Sequence, residues 1–268
     1  MTHETNGLEL ISRPATGGRR DVALLFVHGI NLGAWVWDAH FLDHFAAAGF
    51  DAHAVSLRGH GGSAGADRIG DLTLTDYVND LRQTVARIGR PVVLVGHSMG
   101  GAVVQKFIQT GGRAAGMALL ASVPPWGLAG VALRLALFAP RHFRVMLDMS
   151  MGRMPPDDLA VARDILFRPD MPDAELAGLT ARMGPESPHI GMALQGWPPI
   201  APLPFCAPPT FVLGGAADAL IPADEVWRTG LYYGSCAELI PGLPHMVMLG
   251  EGWDAAAARL GRWLDRVA

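Results

Sequence analysis

Pro91-Val92-Val93-Leu94-Val95-Gly96-His97-Ser98-Met99-Gly100-Gly101 is the stretch on which the fold turns. It begins as an apolar, β-branched run of the kind that fills a buried strand. It passes through Gly-x-Ser-x-Gly into Ala102-Val103-Val104-Gln105-Lys106-Phe107-Ile108, which reads as a helix. A serine between strand and helix is held in a tight bend. Glycines two residues before and two after it let the strand and helix pack closely. The bend lifts the hydroxyl clear of the backbone and aims the Met99 N–H at the space in front of it. Ser98 is thus the candidate nucleophile, and Met99 supplies half of an oxyanion hole. In a chain with 33 glycines the motif alone says little. The strand before it and the helix after it give it meaning.

Outward from this turn, short apolar runs alternate with helical patterns. Strands are predicted at 22–27, 50–57, 92–95, 116–122, 210–213 and 237–240. Helices are predicted at about 37–48, at 74–88 opening after Thr73 or Thr75, and at about 253–267. Residues 8–12 are expected to add an antiparallel strand at the N-terminal side. The pattern predicts an α/β fold: a mostly parallel central sheet of about seven to eight strands, with helices on both faces.

The composition suits such a fold. Of 268 residues, 50% are hydrophobic and 17% charged, enough for a sizeable core. The net charge of −4 and the lack of a long basic run argue against nucleic acid or an anionic membrane as partner. The opening residues lack the layout of a signal peptide, and no apolar run reaches the ~18 residues that span a bilayer. A soluble, cytoplasmic protein with no integral membrane association is expected. Cys206 and Cys236 do not form a metal-type pair and are expected to be buried thiols. His40 and His44 share i, i+4 spacing, but no third ligand accompanies them, and they read as surface histidines on a helix. Neither metal nor cofactor is expected.

Residues 123–209 interrupt the alternation. The segment is proline-rich and carries seven of the twelve methionines, Met146, Met149, Met151, Met154, Met171, Met183 and Met192. Helical pieces are predicted at 128–138 and 157–166. So long an insertion after a strand is more than a loop. It is expected to form a helical lid inserted after the sixth strand, over the carboxyl edge of the sheet where open α/β sheets bind ligands. Residues 1–122 and 210–268 are then the core. Methionine is flexible and polarizable, and lines apolar pockets of varied shape.

A serine hydroxyl needs a base, and a neutral imidazole suits one near pH 7. Three histidines follow Ser98: His142, His189 and His245. The first two fall inside the predicted lid. His245 follows the last strand, in Pro241-Gly242-Leu243-Pro244-His245-Met246, where a loop can return it to the serine. The base needs an acid to fix its tautomer. Asp218 directly follows a predicted strand. Asp224 and Glu225 are rivals, but they lie past Pro222, where charge at a helix N-terminus accounts for them. The second oxyanion donor is expected from the loop His28-Gly29-Ile30-Asn31-Leu32-Gly33, with the Ile30 N–H favoured and Asn31 the runner-up. His28 is expected to hold this loop, and His97 to pack with a backbone hydrogen bond.

Taken in order, the motifs are His28-Gly29, Leu57-Arg58-Gly59-His60-Gly61-Gly62-Ser63, Gly96-His97-Ser98-Met99-Gly100, Gly215-Ala216-Ala217-Asp218 and Pro244-His245. With them the chain resembles the α/β-hydrolase fold proteins of the small, lid-bearing esterase and lipase type. The family often has aspartate before the Arg-Gly-His-Gly turn, whereas Ser56-Leu57 stands here. Serine at 98 sets the chain apart from the haloalkane dehalogenase and epoxide hydrolase branches, which use aspartate there. The resemblance implies a Ser98–His245–Asp218 triad that cleaves a small apolar ester through an acyl-enzyme, with no cofactor. The pocket is expected to draw on Asn31, Trp126, Met146, Met149, Leu220 and Met246. Trp35, Trp37 and Trp197 are expected in the core or lid packing rather than the pocket. An acyltransferase, a perhydrolase or a lyase on the same triad stays open, as does a receptor that binds without turnover.

Overall fold

Strand β3 shows how the sheet is built. In the computed structural model, which describes residues 2–5, 7–150 and 159–267, β3 is Ala23–Val27. Leu24 and Phe26 join the core on one face of the sheet, while Ala23, Leu25 and Val27 join the core on the other. Side chains of a strand alternate faces, so an unbroken apolar run means a strand covered on both sides.

The remaining elements follow the alternation read from the sequence. β1 (Thr2–Thr5) and β2 (Leu8–Arg13) precede β3. α1 (Trp35–Asp38), α2 (Phe41–Ala47) and β4 (Asp51–Val55) follow it. Next come α3 (Leu74–Ile88), β5 (Val92–His97), α4 (Met99–Gln109) and β6 (Gly116–Leu120). Between β6 and β7 (Thr210–Gly215) lie α5 (Ala129–Phe138), α6 (Pro140–Ser150), α7 (Leu159–Leu166), α8 (Asp173–Thr180) and α9 (Pro188–Ala193). α10 (Ala223–Tyr232), β8 (Ala237–Ile240) and α11 (Trp253–Val267) complete the chain.

The eight strands form one sheet in the order β1-β2-β4-β3-β5-β6-β7-β8. β4, β3, β5, β6, β7 and β8 run parallel, while β2 is antiparallel to both β4 and β1. One face carries Trp37, Phe41, Phe45, Leu260 and Trp263. The other carries Tyr77, Leu81, Val103, Phe107 and Val226. α3 is closed at both ends by its sequence: Thr73 and Asp76 form a capping box, and Gly89 ends the helix at φ 67°.

Two of these expectations need correction, and one strand went unread. The helix expected at 37–48 is two helices, because His40 leaves the helical region (φ −149°). That break lays the His40 ring flat on Trp253 of α11, 4.5 Å between centroids, and His44 meets the same indole edge-on. The pair thus packs on an aromatic ring. Cys206 and Cys236 are exposed rather than buried. Cys206 ends a 3-10 turn (Pro204–Cys206) and Cys236 stands just before β8, so neither lies on a strand or helix face that turns to the core. β1 was not foreseen, since Thr-His-Glu-Thr lacks the apolar alternation by which a strand is read.

Candidate active site

Ser98 joins β5 to α4 with φ 52° and ψ −119°, a conformation that costs a non-glycine residue strain. The glycines around it are where the chain crowds most. A Cβ on Gly96 would stand 2.6 Å from the Gly100 carbonyl oxygen and from the Gly101 Cα. A Cβ on Gly101 would collide with the Ser122 hydroxyl. The turn is also tied at its back: Ser98 N–H donates to Leu120 O (3.2 Å), and Ser98 O accepts from Val123 N–H (3.2 Å). The serine is largely buried, and its side chain lies on the wall of a cavity.

Asp218 follows β7 in a turn closed by its own N–H on Gly215 O (3.3 Å). Its Oδ1 accepts from the N–H groups of Leu220 (2.8 Å) and Ile221 (2.9 Å). That fixes the carboxylate and leaves Oδ2 to His245 Nδ1, at 2.9 Å. Both side chains are buried. A carboxylate on Nδ1 keeps the proton there and leaves Nε2 as the basic nitrogen. The His245 loop rests directly on the end of β7, for Ala217 N–H donates to Leu243 O (3.1 Å) and a Cβ on Gly215 would strike that same carbonyl. His97 makes the backbone hydrogen bond expected of it, and its partner is the His245 loop. Its Nε2–H donates to the His245 backbone carbonyl (3.0 Å), and its ring lies 4.8 Å from the His245 ring. Asp224 and Glu225 sit in the first turn of α10. Asp224 pairs with Arg134, and Glu225 accepts from Trp126 Nε1–H (2.8 Å).

The loop after β3 bends at Gly29, where a Cβ would come within 2.9 Å of the His97 ring and 3.1 Å of Ser98 Cβ. Leu32 N–H closes the turn on Gly29 O (3.3 Å) with Asn31 at φ 62°, a conformation asparagine tolerates better than most residues. His28 holds this loop: its Nδ1–H donates to Gly29 O (2.8 Å), and its Nε2 accepts from Leu57 N–H (3.0 Å). Asn31 ties it to the segment before α9, with Nδ2–H donating to Gly184 O (2.8 Å) and Gly184 N–H donating to Asn31 O (2.9 Å). Ser56 accepts from Ala34 N–H (2.8 Å) and donates to Glu9 Oε2 (2.6 Å). Glu9 also accepts from Gly62 N–H (3.0 Å). Here the carboxylate behind the Arg-Gly-His-Gly turn therefore comes from β2. Nothing in the sequence pattern pairs residues so far apart.

Ser98 and His245 open onto one cavity of about 440 Å³. Ile30, Leu220, Ile221 and Met246 line its floor with them, and α5, α6 and α9 supply much of the remaining wall. Among the described residues lining it, His97, Ser98, Gln195 and His245 are the polar ones, and none is Asp, Glu, Lys or Arg. Met146, Met149, Leu220 and Met246 line this cavity. Asn31 and Trp126 do not line it. Asn31 is turned onto Gly184, and Trp126 lies against Arg228 and Glu225 on α10. Trp35 and Trp37 belong to the core, and Trp197 is exposed. Met183 and Met192 also line the cavity, Met171 packs in the core, and Met151 and Met154 lie outside the described residues.

Two histidines behind the site are kept neutral. Burial first, and the neighbouring His60 second, push His28 down to about 3 despite its bond to Gly29 O. Burial, then the adjacent His245, hold His97 well below the usual range. In the unfolded chain both rings take up protons below about pH 6.5. The unfolded state then binds more protons than the folded one, so stability must fall as the pH drops below about 6.5, for His28 down to about 3. The expected slope is about 1.4 kcal/mol per pH unit for each ring. Urea midpoints that stay unchanged between about pH 7 and about pH 5 would show that these rings charge within the fold.

The sequence model of the Alpha/beta hydrolase family matches residues 24–259, and the chain belongs to that family. It is 34% identical over 124 residues to a non-heme haloperoxidase of Rhodococcus erythropolis, 45% of this chain and 43% of that protein. It is 32% identical over 158 residues to the Oryza sativa subsp. indica protein named "Probable esterase PIR7A", 56% of this chain and 52% of that one. The match thus spans about half the length of these two curated relatives. A soluble variant of monoglyceride lipase from Saccharomyces cerevisiae shares the fold, with a TM-score of 0.71 at 17% identity over 100% of this chain and 95% of that one. Among the described residues, no helix is long and apolar enough to cross a membrane.

Proposed function

We propose that this chain is a serine hydrolase that cleaves uncharged, apolar carboxylic esters through an acyl-enzyme. The observation that carries the reading is His245, held from behind by buried Asp218, opening with Ser98 onto a cavity free of Asp, Glu, Lys and Arg among its described lining residues. His245 Nε2 takes the Ser98 proton as Oγ attacks the ester carbonyl. The N–H groups of Met99 and Ile30 receive the oxyanion, each such donor being worth about 3 kcal/mol. His245 then gives its proton to the leaving alcohol and activates a water to release the acid. Residues 123–209 act as the lid, since their helices wall the cavity opposite the serine. A carboxylate or phosphate on the substrate loses its hydration in such a cavity and gains no partner, so charged esters are poor substrates.

A test is hydrolysis of p-nitrophenyl esters from acetyl to palmitoyl beside an ester with a free carboxylate on its acyl part. Turnover of the neutral series with little of the charged ester is expected, and the reverse preference rejects the reading. Asp218→Asn is expected to cost about 10⁴ in kcat with the fold retained, because the amide leaves His245 in the wrong tautomer. If Asp224→Asn has that effect instead, the acid is misassigned.

The haloperoxidase relative motivates a second reading, in which hydrogen peroxide replaces water and the acyl-enzyme leaves as a peracid. The cavity speaks against it as the main activity. Met146, Met149, Met183, Met192 and Met246 line it, and a peracid hands an oxygen to a thioether to give sulfoxide and the acid.

A further inference from the structure

Glu186 is the one buried carboxylate among the described residues of 123–209, and it does not line the cavity. Its Oε1 accepts from the Tyr77 hydroxyl of α3 (2.6 Å) and from Ser187 N–H (2.8 Å). Its Oε2 lies 3.2 Å from His60 Nε2, and both side chains are fully buried. Burial first, and the carboxylate second, raise the Tyr77 phenol above its usual range, so it keeps the hydrogen it donates. His60 Nδ1 faces the Arg58 carbonyl (3.1 Å), which can only accept, so Nδ1 carries a hydrogen. A bare lone pair on Nε2 would then face a bare carboxylate oxygen, and neither atom has a hydrogen bond from another described residue. One proton between them, on either atom, makes the contact attractive.

This cluster fastens a short bridge. Two residues before Glu186, Gly184 exchanges two hydrogen bonds with Asn31, the neighbour of Ile30. One residue after it, Ser187 donates to Leu72 O (2.6 Å) and caps α9. Pro188, Gly191 and Met192 of α9 then line the cavity. Glu186 therefore stands between the turn that carries Ile30 and a helix that walls the cavity.

We propose that Glu186 is a positioning residue for the hydrolysis. Clasped by His60 and Tyr77, it holds the bridge from Gly184 to Ser187, and through it the Ile30 turn and the α9 wall, in place beside Ser98. A small displacement of such supports is costly in rate, although they touch no reacting atom. The effect on rate rests on the hydrolase reading; the clasp itself does not.

Glu186→Gln and Glu186→Met separate the polar clasp from the space it fills, since the two new side chains have similar length. Glutamine still accepts from Tyr77 and Ser187 through its oxygen, and turns an N–H toward His60 Nε2. Methionine offers no oxygen. On a short neutral p-nitrophenyl ester, Glu186→Met should lower kcat about tenfold to a hundredfold, with KM changed by less than about threefold. Glu186→Gln should stay within about threefold of the parent in both. Hydrogen exchange reads the same bridge without substrate. The Leu32 and Gly184 amides should exchange about tenfold faster in the methionine variant and at the parent rate in the glutamine variant. All are compared at a temperature where circular dichroism shows each protein folded. A folded methionine variant with the parent's kcat overturns the inference, whatever its unfolding midpoint. So does unchanged exchange at both amides, or an equal loss in the glutamine and methionine variants. If Glu186→Met does not fold, Tyr77→Phe removes one hydroxyl of the clasp and should speed the same amides about threefold. No change there overturns the inference too. A parent without ester turnover rejects the hydrolase reading; faster exchange in the methionine variant would still keep the clasp, and unchanged exchange would reject both.

Discussion

Ser98→Ala should lower kcat for a neutral p-nitrophenyl ester by about 10⁵ to 10⁶, with little change in KM. The expectation follows from the geometry around one oxygen. On the proposed mechanism the oxyanion donors and the Asp218–His245 pair serve the Ser98 hydroxyl, and alanine removes that oxygen while keeping the Cβ that the backbone already accommodates. Binding and oxyanion contacts survive, so a residual rate above that of water should remain. His245→Ala should cost about as much, because nucleophile and base act as a unit, and combining the two should add little. A rate within tenfold of the parent would reject Ser98 as nucleophile in the first variant, and His245 as base in the second. Single-turnover measurement separates loss of acylation from slow release.

The largest loss of stability is expected from Gly100→Ala. A Cβ there would lie 2.5 Å from the His28 carbonyl oxygen and collide with that of Val27, both of them backbone atoms. A flexible side chain can move aside, but the end of a central strand cannot move without shifting the sheet. About 3–5 kcal/mol of destabilisation is expected, comparable with the most damaging core substitutions. Gly261→Ala is the control. It lies inside α11 with nothing near its added Cβ, and should stabilise by about 0.8–1 kcal/mol through helix propensity alone. Urea unfolding of both measures the contrast. Equal midpoints would show that the β5–α4 turn relaxes to admit a methyl group.

These two substitutions fall in a stretch whose structure is legible from sequence. Strands β5 and β8 and helices α3 and α11 are legible because apolar periodicity is a local signal. Ser98, Asp218 and His245 stand out because each follows a strand end, where a parallel sheet offers its side chains to a ligand. What stays hidden is long-range and polar. Glu9 reaches Ser56, Asn31 reaches Gly184, and His60 Nε2 lies 3.2 Å from Glu186 Oε2 across 126 positions of chain. No periodicity encodes such pairs. Trp126 is misread for a related reason: sequence gives the size of an indole but not its direction, and its N–H is drawn to Glu225.

The two bonds between Asn31 and Gly184 give the covering segment and the loop after β3 a common fate. A cover hinged near Gly184 would have to break both bonds and release the turn that presents Ile30. On the proposed mechanism the site would lose the Ile30 N–H as an anion donor when it opened and regain it only on closing. A vacant, open site would then be idle toward water, and acylation would wait for the substrate to be enclosed.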